Sequence, residues 1–168
     1  MICLLKLAGA VLLIAAGFLA GFLESYKLAV RVERLEAFLR FLSAAKTEVR
    51  YSAMPVARLV RRHGGELPFL GLCADRCEAG ADWAQAWASA VSEEAEQEGF
   101  SEKDAAMLLD FGAGFGASDT QGQLAHFDLY AGLAAAALKE AREERDRKSK
   151  LYRMLGISGG MAAAILLC

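Results

Sequence analysis

Two uncharged apolar runs bracket a long periodic stretch. Leu7 to Leu23 holds 17 residues without a charge, between Lys6 and Glu24, and Met154 to Cys168 holds 15 more. As a helix rising 1.5 Å per residue the first run is about 26 Å long, near the ~30 Å hydrocarbon core of a bilayer. Ile2 to Leu5 extend it with Lys6 snorkelling. The second run is about 22 Å and reaches further with Leu151, Arg153 snorkelling and Tyr152 at the interface. The pattern predicts an N-terminal transmembrane segment over 1–25, a helical domain over 26–153 and a C-terminal transmembrane segment over 154–168.

Within the domain, Leu28, Val32, Leu35, Leu39, Leu42 and Val49 mark one apolar stripe of a helix, interrupted by Lys46. That helix is predicted to continue from the first run to about Tyr51. Pro55 suits the first turn of a second helix, to His63, which Gly64 and Gly65 end. A third covers about Phe69–Glu78 and stops at Gly80. Asp82 with Gln85 reads as the N-cap and capping box of a fourth, to about Gln97. Ser101 and Asp104 repeat the pattern more weakly before a fifth, to about Phe115. Ser118 with Gln121 caps the last and longest. There Leu124, Phe127, Ala131, Ala134, Leu138 and Ala141 keep the helical spacing toward the second apolar run. The expected fold is all-α: an antiparallel helical bundle of about six helices, flanked by N-terminal and C-terminal transmembrane helices.

Composition removes the alternatives. The chain has 33 Ala and 25 Leu but only 13 Val, Ile and Thr together, so it lacks the β-branched residues of a sizeable sheet. Rossmann folds, P-loop NTPases, sandwiches and barrels are thereby excluded. Lys27, Arg31, Arg34 and Arg40, with seven more basic residues from Lys139 to Arg153, flank the runs on their inner side, against Lys6 alone on the outer. The positive-inside bias places the domain in the cytoplasm and both termini across the membrane. A cleaved signal peptide over 1–23 on a secreted helical binding domain is the alternative; no clear A-x-A site follows the run, and the second run remains. Cys3 and Cys168 fall in the apolar ends, leaving Cys73 and Cys77 for the domain, as suits a reducing compartment.

Charge is segregated along the domain. Residues 27–62 carry nine basic and three acidic side chains, whereas residues 66–128 carry thirteen acids against Arg76 and Lys103. The basic ends suit anionic headgroups. The acidic middle reads either as a solvated surface or as a docking surface for a basic partner. Its densest cluster is Glu93, Glu94, Glu96 and Glu98, at a helix C-terminus where the dipole disfavours negative charge, which makes it the candidate partner surface.

No arrangement for catalysis emerges, and the chain is expected not to be an enzyme. Gly112, Gly114 and Gly116 follow a helix rather than the strand that a dinucleotide fingerprint requires. Cys73 and Cys77 lack two further ligands for a structural zinc. His63 reads as a helix-end residue, His126 as a surface or interface residue, and Trp83 and Trp87 as core anchors. No metal, cofactor, nucleic acid or small-molecule substrate is expected. Gly17 with Gly21, and Gly156 with Gly160, form one G-x-x-x-G pair per apolar run, the spacing that lets helices pack closely in lipid.

Four stretches in order, LLKLAGAVLLIAAGFLAGF, TEVRYSAMPVARL, FGAGFGASDTQGQLAHFDL and KSKLYRMLGISGGM, resemble the stage III sporulation protein AB family of endospore-forming bacteria from end to end. Pro55, Gly116, Asp119, Gln123 and His126 occupy its motif positions, while Val56, Phe115 and Ala125 depart from it. The resemblance implies a component of the mother-cell-to-forespore transport complex, in the mother-cell membrane around the forespore. Its domain would resemble the F-type platform proteins of type II secretion and type IV pilus machines. The implied partners are the membrane, other subunits of the stage III complex and a cytoplasmic secretion-type ATPase.

Overall fold

The computed structural model describes residues 2–51 and 55–167, with side chains at 21–23, 25–51, 55–151 and 154. Six helices follow one another: α1 (Ile2–Tyr51), α2 (Val56–His63), α3 (Pro68–Glu78), α4 (Trp83–Glu94), α5 (Glu102–Gly114) and α6 (Thr120–Leu167). The described residues contain no strand, as the Ala- and Leu-rich composition requires. Two compact units are distinguished, residues 30–141 and residues 1–29 with 142–168.

In the larger unit the predicted stripe of α1 is the core face, and it is wider than the periodicity suggested. Leu35, Phe38, Phe41, Leu42 and Ala45 are buried together with Val32. Leu108 and Phe111 of α5, Phe69 and Leu70 of α3, Trp87 of α4, and Phe127, Ala134 and Ala141 of α6 complete the core. Aromatic rings meet edge-on through its centre, Phe38 with Phe111 at 5.7 Å and Phe69 with Trp87 at 5.5 Å, the geometry their quadrupoles favour.

The helix boundaries follow local chemistry, with three corrections. Pro55 stands just before α2 rather than inside its first turn, its carbonyl accepting from the Arg58 and Leu59 N–H groups. Asp82 caps α4 through the Ala84 N–H, while the complete capping box is at Ser101 and Asp104, the site expected to be weaker. Asp119, not Ser118, caps α6: its Oδ1 accepts from the Gly122 N–H at 2.9 Å. After Glu94 the chain closes in a turn in which Phe100 donates to the Ala95 carbonyl, and Gly99 takes the left-handed φ of 94° that such a C-terminus needs.

In the smaller unit, Phe22, Leu23, Tyr26, Leu151 and Met154 are exposed. Lys148 pairs with Glu144 one turn earlier on α6, at 2.9 Å. Gly21 is buried, whereas Gly17, Gly156 and Gly160, and most of both apolar runs, lie outside the residues whose side chains are described. Among the described residues no helix is long and apolar enough to cross a membrane.

Candidate functional site

Two arrangements in the larger unit collect the polar residues singled out by sequence. The first is the joint between α5 and α6. A helix leaves its last carbonyls short of donors, and here side chains add them at Phe111, Gly112 and Gly114 and, one turn earlier, at Leu108. Trp87 Nε1 donates to the Leu108 carbonyl at 2.7 Å and Trp83 Nε1 to that of Gly112 at 3.1 Å. His126 Nε2 lies 2.9 Å from the Phe111 carbonyl, an acceptor only, so this nitrogen carries the proton. The buried Gln123 amide then locks the turn. Its Nε2 donates to the Gly114 carbonyl and to Ser118 Oγ, and its Oε1 accepts from the Gly116 N–H at 2.9 Å.

The glycines of this joint are there for space and backbone freedom rather than for phosphate. A Cβ on Gly112 would lie 2.0 Å from the Trp87 ring, and one on Gly114 would lie 2.4 Å from His126. Gly116 has a φ of 84°, and a Cβ on it would sit 3.3 Å from Val56, the residue after Pro55. The motif positions Gly116, Asp119, Gln123 and His126 therefore converge on one turn, with the start of α2 against it. His126 also stacks on Phe111 at 5.2 Å and meets Tyr130 at 4.6 Å, so it is a positioned cap rather than an open surface residue.

The second arrangement joins α1 to the starts of α3 and α5 through buried charge. Arg31, on the apolar face of α1, donates from Nε and Nη2 to the two oxygens of Asp104, at 2.7 and 3.1 Å. Asp104 also accepts from the Ser101 N–H within the capping box. Burial alone would raise this carboxyl, but the hydrogen bonds from Arg31 and Ser101 outweigh it and hold it below its ordinary value.

Beside it, Glu98 accepts from the Phe69 N–H at 2.5 Å, capping α3 from a distant part of the chain. Its second oxygen and the Nε of Arg34 are both buried without a hydrogen-bond partner. Burial, reinforced by Glu94, pushes the Glu98 carboxyl up to about 7, against the lowering by the Phe69 N–H and the Arg34 charge.

The acidic cluster is thus divided. Glu98 is buried and faces inward; Glu93 pairs with Arg76; Glu94 is half-buried and Glu96 exposed. Much of the segregated charge closes on itself. Arg40 pairs with Glu66, Lys46 with Asp128, and Arg61 with Asp75 and Glu78, each joining the basic stretch to the acidic one. Burial also pushes the Cys73 thiol up to about 12, which makes it an inert core group. Trp87 is buried and Trp83 half-buried, as core anchors should be.

The Arg31–Asp104 pair and the inward turn of Glu98 escaped sequence reasoning. One signal was present: position 31 falls on the helical stripe with Leu28 and Leu35, and a charge there requires a buried partner. Nothing in the spacing pointed to a partner 73 positions away.

The profile of the stage III sporulation protein AB family matches residues 6–168, nearly the whole chain. No curated protein and no solved structure matches it. On that match the chain belongs to the stage III sporulation protein AB family, and its role is sporulation-related.

Proposed function

We propose that this protein is a non-enzymatic, membrane-anchored assembly component of the mother-cell-to-forespore transport complex. On this reading its helical domain is cytoplasmic and serves as a platform for a secretion-type ATPase and neighbouring membrane subunits. The supporting observation is architectural. The two longest helices, α1 and α6, each continue from the compact unit into one of the two apolar terminal runs. A chain tethered at both ends presents its domain at one membrane face, as a platform must. The polar residues brought together in the domain support the reading, because they cap helices and neutralise buried charge.

Topology is tested by a Cys introduced at Ala106, exposed on α5, in a chain whose four native cysteines are replaced by Ala. An impermeant thiol reagent should label it only after the cytoplasmic side is opened; labelling in intact cells would refute the orientation. Assembly is tested by Gly17→Ile and Gly160→Ile. Each should reduce co-purification with membrane partners from sporulating cells while the domain remains folded. Undiminished co-purification of both variants would count against packing at those glycines.

A further inference from the structure

We propose that the surface formed by the last turns of α1 and the exposed face of α2 is a docking surface for an acidic segment of a partner protein. Around it the internal charge pairing stops. Arg31, Arg40, Lys46 and Arg61 are each matched to a carboxylate within the unit. Arg50 and Arg58 are exposed and have no acceptor among the described residues. Arg62, one turn beyond Arg58 on α2, reaches only Glu48, at 3.5 Å, and that carboxylate also lies 3.4 Å from His63. The positive charge here is unspent, and a carboxylate-bearing ligand complements it. Arg adds two-pronged hydrogen bonding to such a ligand.

The surface also has shape and an apolar anchor. Ser43, Lys46, Thr47, Arg50 and Tyr51, on one face of α1, line an open depression of about 120 Å³. Tyr51 is 79% exposed. On the helical wheel it lies between Glu48, which Arg62 reaches, and Arg50. An exposed Tyr among Arg side chains is the composition of interface hot spots.

A lipid surface is the less fitting occupant. The 22 residues from Val30 to Tyr51 form about 32 Å of helix, so on the proposed anchoring the last turns of α1 lie well beyond the ~8–10 Å screening distance of the bilayer. A second copy is an outcome of the test: an affinity between copies, read as concentration-dependent mass in light scattering and lost in Arg50→Glu with Arg58→Glu, would assign the surface to self-association instead. This choice of a protein ligand rests on the proposed membrane anchoring.

The test uses the full chain in nanodiscs and a fluorescent peptide of four Glu-Glu-Leu repeats, followed by anisotropy at about 50 and 200 mM salt. Arg50→Glu with Arg58→Glu should weaken binding at least about tenfold and flatten its salt dependence. Tyr51→Ala should weaken binding with the salt dependence retained. Arg145→Glu with Arg147→Glu should stay within about twofold of wild type, and circular dichroism should verify that every variant is folded.

Unchanged binding in the Arg50 and Arg58 variant, or equal loss in the Arg145 and Arg147 pair, would overturn the proposal. Discs of phosphatidylcholine and phosphatidylglycerol should give the same affinity; strong loss in the anionic discs would assign this surface to lipid headgroups instead. The platform reading fails by topology or co-purification, which this titration does not touch.

Discussion

The α1–α5 junction and the α5–α6 joint solve the same problem, closing helix ends inside a small core, by opposite means. The junction uses charge: Arg31 on Asp104 and Glu98 on the Phe69 N–H, across sequence separations of 73 and 29. The joint uses uncharged hydrogen-bonding groups, some local, with Gln123 bonding backbone seven and nine positions earlier, and some distant, with Trp87 and Trp83 reaching α5 from α4. Buried charges cost several kcal/mol to desolvate and depend on their partners remaining ionised as required. Neutral hydrogen bonds and close ring contacts carry no such condition. The difference teaches that one end of α5 is sensitive to pH and to loss of a single partner, while the other is sensitive mainly to added volume.

The largest effect should come from breaking the buried pair. Asp104→Ala leaves the Arg31 charge buried and removes a cap, and should lower stability by about 3–5 kcal/mol in urea denaturation. A loss below about 1 kcal/mol would mean that Arg31 escapes to water and that the junction is not held by charge.

Next comes pH. The Glu98 carboxyl is raised in the folded protein to about 7 from an ordinary value of 4.5. The folded state therefore holds a proton that the unfolded state has released. Stability should fall as pH rises from about 4.5 to about 7, by up to about 3 kcal/mol, and then level off. Asp104 is shifted the other way, so its contribution is lost at acid pH, as the solution falls through its lowered value. Glu98→Gln keeps an acceptor for Phe69 and should remove the decline between pH 4.5 and 7. A variant that still shows that decline would assign it to another group.

The joint should yield to volume instead. Gly112→Ala drives a methyl into the Trp87 ring and should cost about 1–3 kcal/mol, with little pH dependence. Gly132→Ala on α6, where a Cβ would meet nothing within 4 Å, should stabilise by roughly 0.5–1 kcal/mol. Thermal melts of the pair check both signs. The smallest effect is Glu96→Gln, exposed in the turn after α4, within about 0.5 kcal/mol of wild type.

Sequence by itself determined the elements and their facing sides. The stripes of Leu35 and Leu42 on α1 and of Phe127 and Ala134 on α6 face the core as their spacing requires, because a helical period needs only the local backbone to be realised. The turn from Gly114 to Gln123 was visible as a unit for the same reason, since Gln123 and Asp119 bond groups within nine positions. Capping was legible in kind but misassigned in detail: Ser and Asp adjoin at 118 and 119, and the choice between them turns on Gln123 drawing Ser118 away. Only the tertiary structure decided which charges are internal. Glu93, Glu94, Glu96 and Glu98 read alike along the chain, yet one caps α3, one pairs with Arg76 and one stays in water. Ion pairing depends on distances of a few ångströms between segments tens of residues apart, and such distances exist only after the helices have packed.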